Sequence, residues 1–448
     1  MSKEILVVIG GKISGRLTQD RHGIISFQYE AAYQALPSPT PLSLSMPVAQ
    51  AVHKGRIIND WLNNLLPDNE AVLARWGAQY KVSPKNPFAL MEHVGRDVAG
   101  AVQFVPEKEL PHLKAGGIEK LSIKEIETRL EVLENDPAAW NATTRQGQFS
   151  LPGAQPKTAL RLDGSQWGEP WGSEPTTHII KPPSKSWAHQ EINEHLCLAT
   201  AAGVGIPTAH SEIRMFGTKR ALVVERFDRS HSPTGLIRVH QEDLCQALGL
   251  SSLKKYEADR GPGPGPGTKE IISLFKRVMN PLHAEEANWQ FISALALAWV
   301  IGGTDAHAKN YGLLLSGADV RLAPLYDLNS ILPYEVSEVR NIAPGKISIH
   351  DGELAMKIGT TPKLRQITGV DWELLAKENG LDKEKTKSVV LEVISNTPKA
   401  MKLAIDALPS EILSKDDFEF AKDLLKRVTK QANLCVVSMN GRGIPARF

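Results

Sequence analysis

Residues 301–315 read IGGTDAHAKNYGLLL, and this stretch decides how the rest of the chain is read. Asp305, His307 and Asn310 fall close together, after one apolar run and before another. A carboxylate and an amide at this spacing on a turn can divide the work of phosphoryl transfer. The carboxylate orients an attacking hydroxyl, and the amide oxygen helps hold a metal ion that bridges phosphates. A hairpin is expected next, from residues 311–315 and 320–325 around the turn Ser316-Gly317-Ala318-Asp319. It leads to Leu325-Tyr326-Asp327-Leu328, where Asp327 is placed as a second metal ligand. The plain alternative is a polar turn between a buried helix and a hairpin.

The whole chain narrows the possibilities. Its 448 residues exceed one core, so two or three domains are expected. The 52 basic and 50 acidic residues leave a net charge of +2, which argues against a broad polyelectrolyte surface for nucleic acid. Cys197, Cys245 and Cys435 are dispersed and never form Cys-x-x-Cys, so a zinc ribbon or disulfide framework is not expected. Residues 5–9 are apolar but end at Gly10-Gly11-Lys12, which reads as a strand rather than a signal peptide. The apolar run 291–301 is too short to span a bilayer. A cytoplasmic protein with no membrane partner is expected.

Taken in order, residues 5–9, 12–17, 24–29 and 99–105 read as strands, with helices at 59–66 and 71–76. Ser122 and Glu125 form a capping pattern ahead of a helix over 121–133. Strands are expected at 159–162, 177–181 and 222–228, with a helix at 189–202. From 241 the pattern turns helical: 242–250, 268–278, 285–301, 372–378, 383–395, 397–408 and 416–433. The Gly-Pro alternation at 261–267 can be neither helix nor central strand. The fold class expected is α+β, a protein-kinase-like two-lobe fold. Residues 1–115 form an N-terminal α/β subdomain, 116–235 a strand-rich ATP-binding lobe and 236–448 an all-helical catalytic lobe.

A nucleotide site of that plan needs four kinds of contact. A loop must cover the phosphates with backbone amides. Residues 150–158 are the candidate, with Gly153, Ala154, Gln155, Pro156 and Lys157 as its tip; the segment does not fit a Walker loop. Lys181, at the end of a strand, is placed to reach the phosphates. Of Glu191 and Glu194, both on the next helix, Glu194 is the choice to hold that lysine. Glu225-Arg226-Phe227, at a strand exit, is placed as the hinge that meets the adenine. The order loop, lysine, glutamate, hinge, Asp-x-x-x-x-Asn, hairpin, Asp is that of a protein-kinase-like fold. The internal Asp305-x-His307-x-x-Asn310 also admits a small-molecule or lipid-type phosphotransferase. A non-catalytic subunit of a repressor complex is the rival from another class.

Here the chain resembles the HipA-type serine/threonine kinase toxins of bacterial type II toxin–antitoxin systems. The resemblance runs through residues 41–45, 64–68, Gly95-Arg96-Asp97, 153–160, 177–181, 224–229, 241–246 and Thr304-Asp305-x-His307-x-Lys309-Asn310. It implies that Asp305 is the catalytic base and that Asn310 and Asp327 hold Mg²⁺. His307, Lys309, Lys181 and the loop 153–157 would serve the ATP site, with residues 225–227 at the adenine. Ser150 would be a self-phosphorylation site whose modification disables the kinase. The partner implied is a HipB-like helix-turn-helix antitoxin dimer, which binds operator DNA and carries the toxin with it. Glutamyl-tRNA synthetase is a protein substrate within the family.

Overall fold

A computed structural model describes residues 3–140, 149–233, 235–257, 263–338, 340 and 342–441. The chain divides into two compact units: 1–182, 215–252 and 312–321 form the first, and 183–214, 253–311 and 322–448 the second.

The first unit opens with a five-stranded antiparallel sheet in the order Val52–Lys54, Ile25–Tyr29, Lys12–Gln19, Lys3–Ile9, Val102–Pro106. The three opening strands form where alternation and turn residues place them. The register slips between Val7 and Val8, and Ser14 Oγ donates to the Val7 carbonyl at 3.0 Å, satisfying a polar group beside the bulge. Helices Arg56–Asn64, Glu70–Tyr80 and Pro87–Val94 cover the sheet, with Trp61, Trp76, Phe88 and Phe104 in a common buried core.

A second sheet has six strands, in the order Ser211–Phe216, Lys219–Glu225, His178–Lys181, Thr158–Asp163, Gln166–Gly172, Gly116–Lys120. The helix Ile123–Asn135 begins at the expected capping box, in which Ser122 and Glu125 satisfy each other's backbone N–H. It buries Ile126 and Leu130 against Leu160, Trp167, Ile180 and Val223 of the sheet. Arg129 and Glu169 form a buried ion pair beneath it.

Residues 242–250 do not form the expected helix. His240–Asp243 is a strand paired with Gly312–Ser316, and only the turn Leu244–Ala247 is helical. Glu242 is held in place by a partner distant in sequence: Ser43 Oγ and Leu44 N donate to its two oxygens at 2.5 and 2.8 Å. Burial pushes the Glu242 carboxyl up to about 8 against those two bonds.

The second unit is mostly helical: Gln190–Gly203, Thr268–Val278, Pro281–Ile301, Gly369–Asn379, Lys383–Asp406 and Lys415–Met439. Two departures from expectation are clear. Glu335–Val336 pairs with Ile347–Ser348, and Glu353–Ile358 with Thr361–Lys363, so the lobe is not wholly helical. These strands are too short to show a period in sequence. Residues 383–395 and 397–408 form one helix, Lys383–Asp406, that runs through Pro398. Proline removes one N–H donor, and burial of Val393, Ile394, Ala400 and Met401 on either side carries the helix across that gap. Among the described residues no helix is long and apolar enough to cross a membrane.

Candidate active site

The candidate residues fall in both units, and each set is described within its own. In the second unit the helix Pro281–Ile301 is buried along nearly all of its last turns, so its end is a rigid platform. Gly302 stops it with φ +65°, and a Cβ there would lie 2.9 Å from Leu332. Glycine meets both demands. The chain then turns tightly. The Asp305 carbonyl accepts from His307 N and from Asn310 Nδ2, both at 2.8 Å. Asn310 N donates to the His307 carbonyl at 2.8 Å, and Ala308 N to the Lys255 carbonyl at 3.0 Å. The polar turn is therefore a built loop, in which the Asn310 amide group orients the backbone of Asp305. With its Nδ2 so used, Oδ1 is the Asn310 atom suited to a cation.

Asp305 is exposed, while His307, Lys309 and Asn310 are 4%, 6% and 6% exposed. Tyr256 Oη donates to Asp305 Oδ1 at 2.6 Å, and its ring meets the His307 ring edge-on at 4.9 Å. Nothing in the local sequence marks Tyr256, because this contact joins residues distant in the chain.

Tyr326 Oη donates to the Lys309 carbonyl at 2.6 Å, which ties the segment carrying Asp327 to the turn carrying Asn310. Leu325 is held on its other side by Pro207 and Ala209 through backbone bonds of 2.8 Å each. Asp327 itself has φ +57°. Outside glycine this conformation is uncommon, costs about 1 kcal/mol or more, and concentrates at functional positions. One carboxylate and one amide oxygen suit a hard ion that keeps waters and phosphate oxygens as further ligands. No cluster of three His, Cys, Asp or Glu side chains is present among the described residues, so the donor set does not fit an all-protein metal cage.

On the helix Gln190–Gly203, Glu191 and Glu194 are 0% and 1% exposed, so neither is a solvated face charge. Between them Asn193 exchanges bonds of 2.8 and 3.0 Å with the Ser330 backbone, three residues past Asp327.

In the first unit Ser150 is not an open loop residue. It is fully buried between buried Phe149 and Leu151. Its Oγ donates to the Leu65 carbonyl at 2.8 Å, and its N–H to the Asp97 carbonyl at 3.0 Å. The Gly153 carbonyl accepts from Asp68 N at 3.0 Å. Lys157 is buried, donates to the Pro152 carbonyl at 2.7 Å, and lies 5.1 Å from the Trp140 ring centroid. Gly153 has φ +105°, and a Cβ there would come within 2.7 Å of Lys157 Nζ. The loop is thus folded around its own lysine, with Ala154 exposed at the tip and Gln155 and Pro156 half-buried. Lys181 ends its strand opposite Leu222 and is buried.

The strand-exit segment divides. Glu225 is exposed and Phe227 half-buried, but Arg226 is 4% exposed and fully engaged. Its N–H donates to the Thr177 carbonyl at 2.9 Å. Its guanidinium donates to Asp228 at 2.8 and 3.0 Å, to Asp97 at 3.2 Å, to Thr176 Oγ1 at 2.9 Å and to the Val98 carbonyl at 2.8 Å. Arg229 donates to Asp97 at 2.7 Å and Arg238 to Asp97 at 3.4 Å. The Arg226 side chain is therefore a structural knot. Asp97 is its centre, and the sequence had given Asp97 no role beyond its place in a motif.

The family sequence models of the HipA N-terminal domain and the HipA-like C-terminal domain match residues 5–105 and 149–401. The second alone covers over half of the chain. The chain is 32% identical over 395 residues to Y4mE of Sinorhizobium fredii, spanning 87% of this chain and 89% of that protein. It is 33% identical over 308 residues to the serine/threonine-protein kinase toxin HipA of Shewanella oneidensis, spanning 66% of this chain and 68% of that protein. Among solved structures, HipA in the Shewanella oneidensis complex of HipA, HipB and operator DNA matches with a TM-score of 0.82 and 27% identity over 98% of each chain. With a built Asp305–Asn310 turn joined to Asp327 and both family domains in order, the chain belongs to the HipA family and is a serine/threonine-protein kinase, an enzyme that takes its phosphoryl group from ATP.

Proposed function

We propose that this kinase is the toxin of a type II toxin–antitoxin module, acting in the cytoplasm with Mg-ATP on protein serine or threonine. The observation that carries the catalytic assignment is the double hold on the Asp305 carbonyl by His307 N and Asn310 Nδ2. It aims a single exposed carboxylate from a buried platform. In the reaction the acceptor hydroxyl oxygen attacks the γ-phosphorus, the bond to the bridging oxygen breaks, and ADP leaves. Asp305 orients the hydroxyl and takes its proton. Tyr256, which donates to Oδ1, helps fix the rotamer of that carboxylate. Lys181 and the 153–157 loop would neutralise and enclose phosphate oxygens, His307 and Lys309 would serve ATP, and residues 225–227 would meet the adenine. Bound Mg²⁺ supplies charge neutralisation across the phosphates; Asn310 and Asp327 would hold it. The division at 1–115, 116–235 and 236–448 belongs to this reading.

Two expected outcomes test its parts. Asp327→Ala should weaken Mg-dependent ATP binding at least about tenfold. Calorimetry with and without Mg²⁺ checks it; equal Mg-ATP affinity in variant and parent refutes the ligand assignment.

Ser150 is the proposed self-phosphorylation site. Its buried hydroxyl bond to Leu65 means that a phosphoserine, with a charge of about −1.5 to −2, cannot stay where the serine is. The 149–157 segment must then leave, withdrawing Lys157 from the phosphate site. Protein from an active kinase should carry phosphate on the 149–157 peptide and bind ATP at least about tenfold more weakly than unmodified Asp305→Gln protein. Phosphate at Ser150 with undiminished ATP affinity would refute this.

The Shewanella relative was solved with HipB and operator DNA. On that likeness the partner of this chain is a HipB-like helix-turn-helix antitoxin dimer, through which the complex reaches its operator and co-represses. The near-neutral net charge of +2 agrees with DNA contact made mainly by the antitoxin. Growth inhibition would follow from phosphorylation of a translation factor, with glutamyl-tRNA synthetase the first substrate to assay. Labelled phosphate from ATP, followed onto purified synthetase in the presence and absence of antitoxin, decides that point.

A further inference from the structure

A cavity of about 330 Å³ lies within the second unit, on the segment that follows Asp327. That volume is in the range of small-ligand sites. One wall is the turn Leu332–Tyr334 with the strand Glu335–Val336; the other is the helix Lys415–Met439. Helical spacing brings Asp423, Lys426, Arg427 and Lys430 to the same side.

The charges of this lining do not cancel. Arg365 pairs with Glu335 at 3.0 Å and Arg427 with Asp423 at 2.7 Å. Arg427 is also fastened to the Leu332 carbonyl at 2.9 Å, so its guanidinium is fixed on the wall. Lys426 and Lys430, one turn apart and exposed, form no ion pair among the described residues. The lining therefore holds two more cations than carboxylates. A second observation lies on the opposite wall. Glu335 is only 8% exposed on its side chain, and its Oε1 has no hydrogen-bond partner among the described residues. Burial raises its carboxyl even against Arg365, Arg427 and Lys430. The unpartnered Oε1 is a buried acceptor for a ligand hydroxyl, and the lysines ask for an oxygen-rich anion. Val336, Ile349 and Leu434 add apolar surface for the body that carries it.

We propose that this cavity is a phosphomonoester-binding site, separate from the residues assigned to ATP. Two sources share that chemistry. One is a free phosphorylated small molecule. The other is Ser337 of this chain, which is exposed on the same lining and would carry its phosphate to Lys426 and Lys430.

The test uses the full chain carrying Ser337→Ala, so that no covalent phosphate can fill the cavity. It is saturated with Mg²⁺ and a non-hydrolysable ATP analogue, and phenyl phosphate is titrated in by calorimetry. One-to-one binding is expected, weakened at least about tenfold by Lys426→Ala with Lys430→Ala and weakened by salt. Both lysines are exposed, so these variants should fold. Absence of binding at millimolar phenyl phosphate, or equal affinity in the lysine variant, overturns the proposal. Peptide mass spectrometry of the parent chain separates the sources. Phosphate on Ser337 that blocks phenyl phosphate until a phosphatase removes it identifies the chain's own ester; unmodified Ser337 with phenyl phosphate bound identifies a free ligand. The assay reads binding alone, so failure of the toxin reading leaves it intact.

Discussion

Replacing Asp305 by asparagine or glutamine is expected to reduce phosphoryl transfer by about 10²- to 10⁴-fold with ATP affinity nearly unchanged. Nucleotide affinity comes from phosphate, metal and adenine contacts, whereas this carboxylate acts on the acceptor hydroxyl. The local fold should survive, because the atom that organises the turn is the Asp305 carbonyl, accepting at 2.8 Å from Asn310 Nδ2, and a substitution keeps that carbonyl. The side chain loses the bond from Tyr256. Single-turnover transfer of labelled phosphate and calorimetry of ATP on the same preparation make the comparison. Turnover within about threefold of the parent, under 1 kcal/mol of barrier, would remove Asp305 from the role of base.

Asp97→Ala is expected to be the most destabilising single change, costing about 3–5 kcal/mol. It would leave Arg226 and Arg229, both buried, with Asp228 as their remaining carboxylate among the described residues, and half-buried Arg238 without the carboxylate it now pairs with. It would also strip Thr176 N and Oγ1 of their acceptor, now at 3.0 and 2.6 Å. Asp97→Asn keeps the shape and one acceptor oxygen, and should cost less while remaining well folded. Urea unfolding of both variants checks the order; a loss below about 1 kcal/mol for alanine would mean that the cluster holds nothing together.

The same cluster sets an acid limit. Burial works to raise Asp97 and Asp228, but Arg229 and Arg226 outweigh it, holding Asp97 well below the usual carboxylate range and Asp228 at about 2. Arg229 is pushed down to about 10, by burial first and then by Arg226, and stays protonated at neutral pH. Carboxylates depressed in the folded state stabilise it fully above their unfolded value near 3.8, and that stability is lost as pH falls through the folded value. The parent should therefore lose more stability than Asp97→Asn between about pH 4 and pH 2.

What the sequence by itself determined were features whose causes are local. The helix at 268–278 has the expected bounds, set by the Gly-Pro run before it and its own apolar spacing. The capping box at Ser122 and Glu125 forms because both partners lie within one turn. The kinase-like order of elements was legible for the same reason, since it is carried by short spacings and turn residues.

The tertiary structure alone decided which motif residues hold the fold together. Arg226 and Asp97 lie 129 residues apart, and nothing near Arg226 tells that its guanidinium is spent on a buried carboxylate. Ser150 and Leu65 are 85 apart, so the burial of the serine hydroxyl could not be read from the flexible-looking prolines and glycine around it. Glu242 became strand because Ser43 and Leu44 draw its carboxylate into the interior. Tyr256 reached Asp305 from 49 residues away. In each case a polar group taken out of water must find a partner wherever the fold supplies one. The identity of that partner depends on which surfaces meet, and no local pattern encodes it.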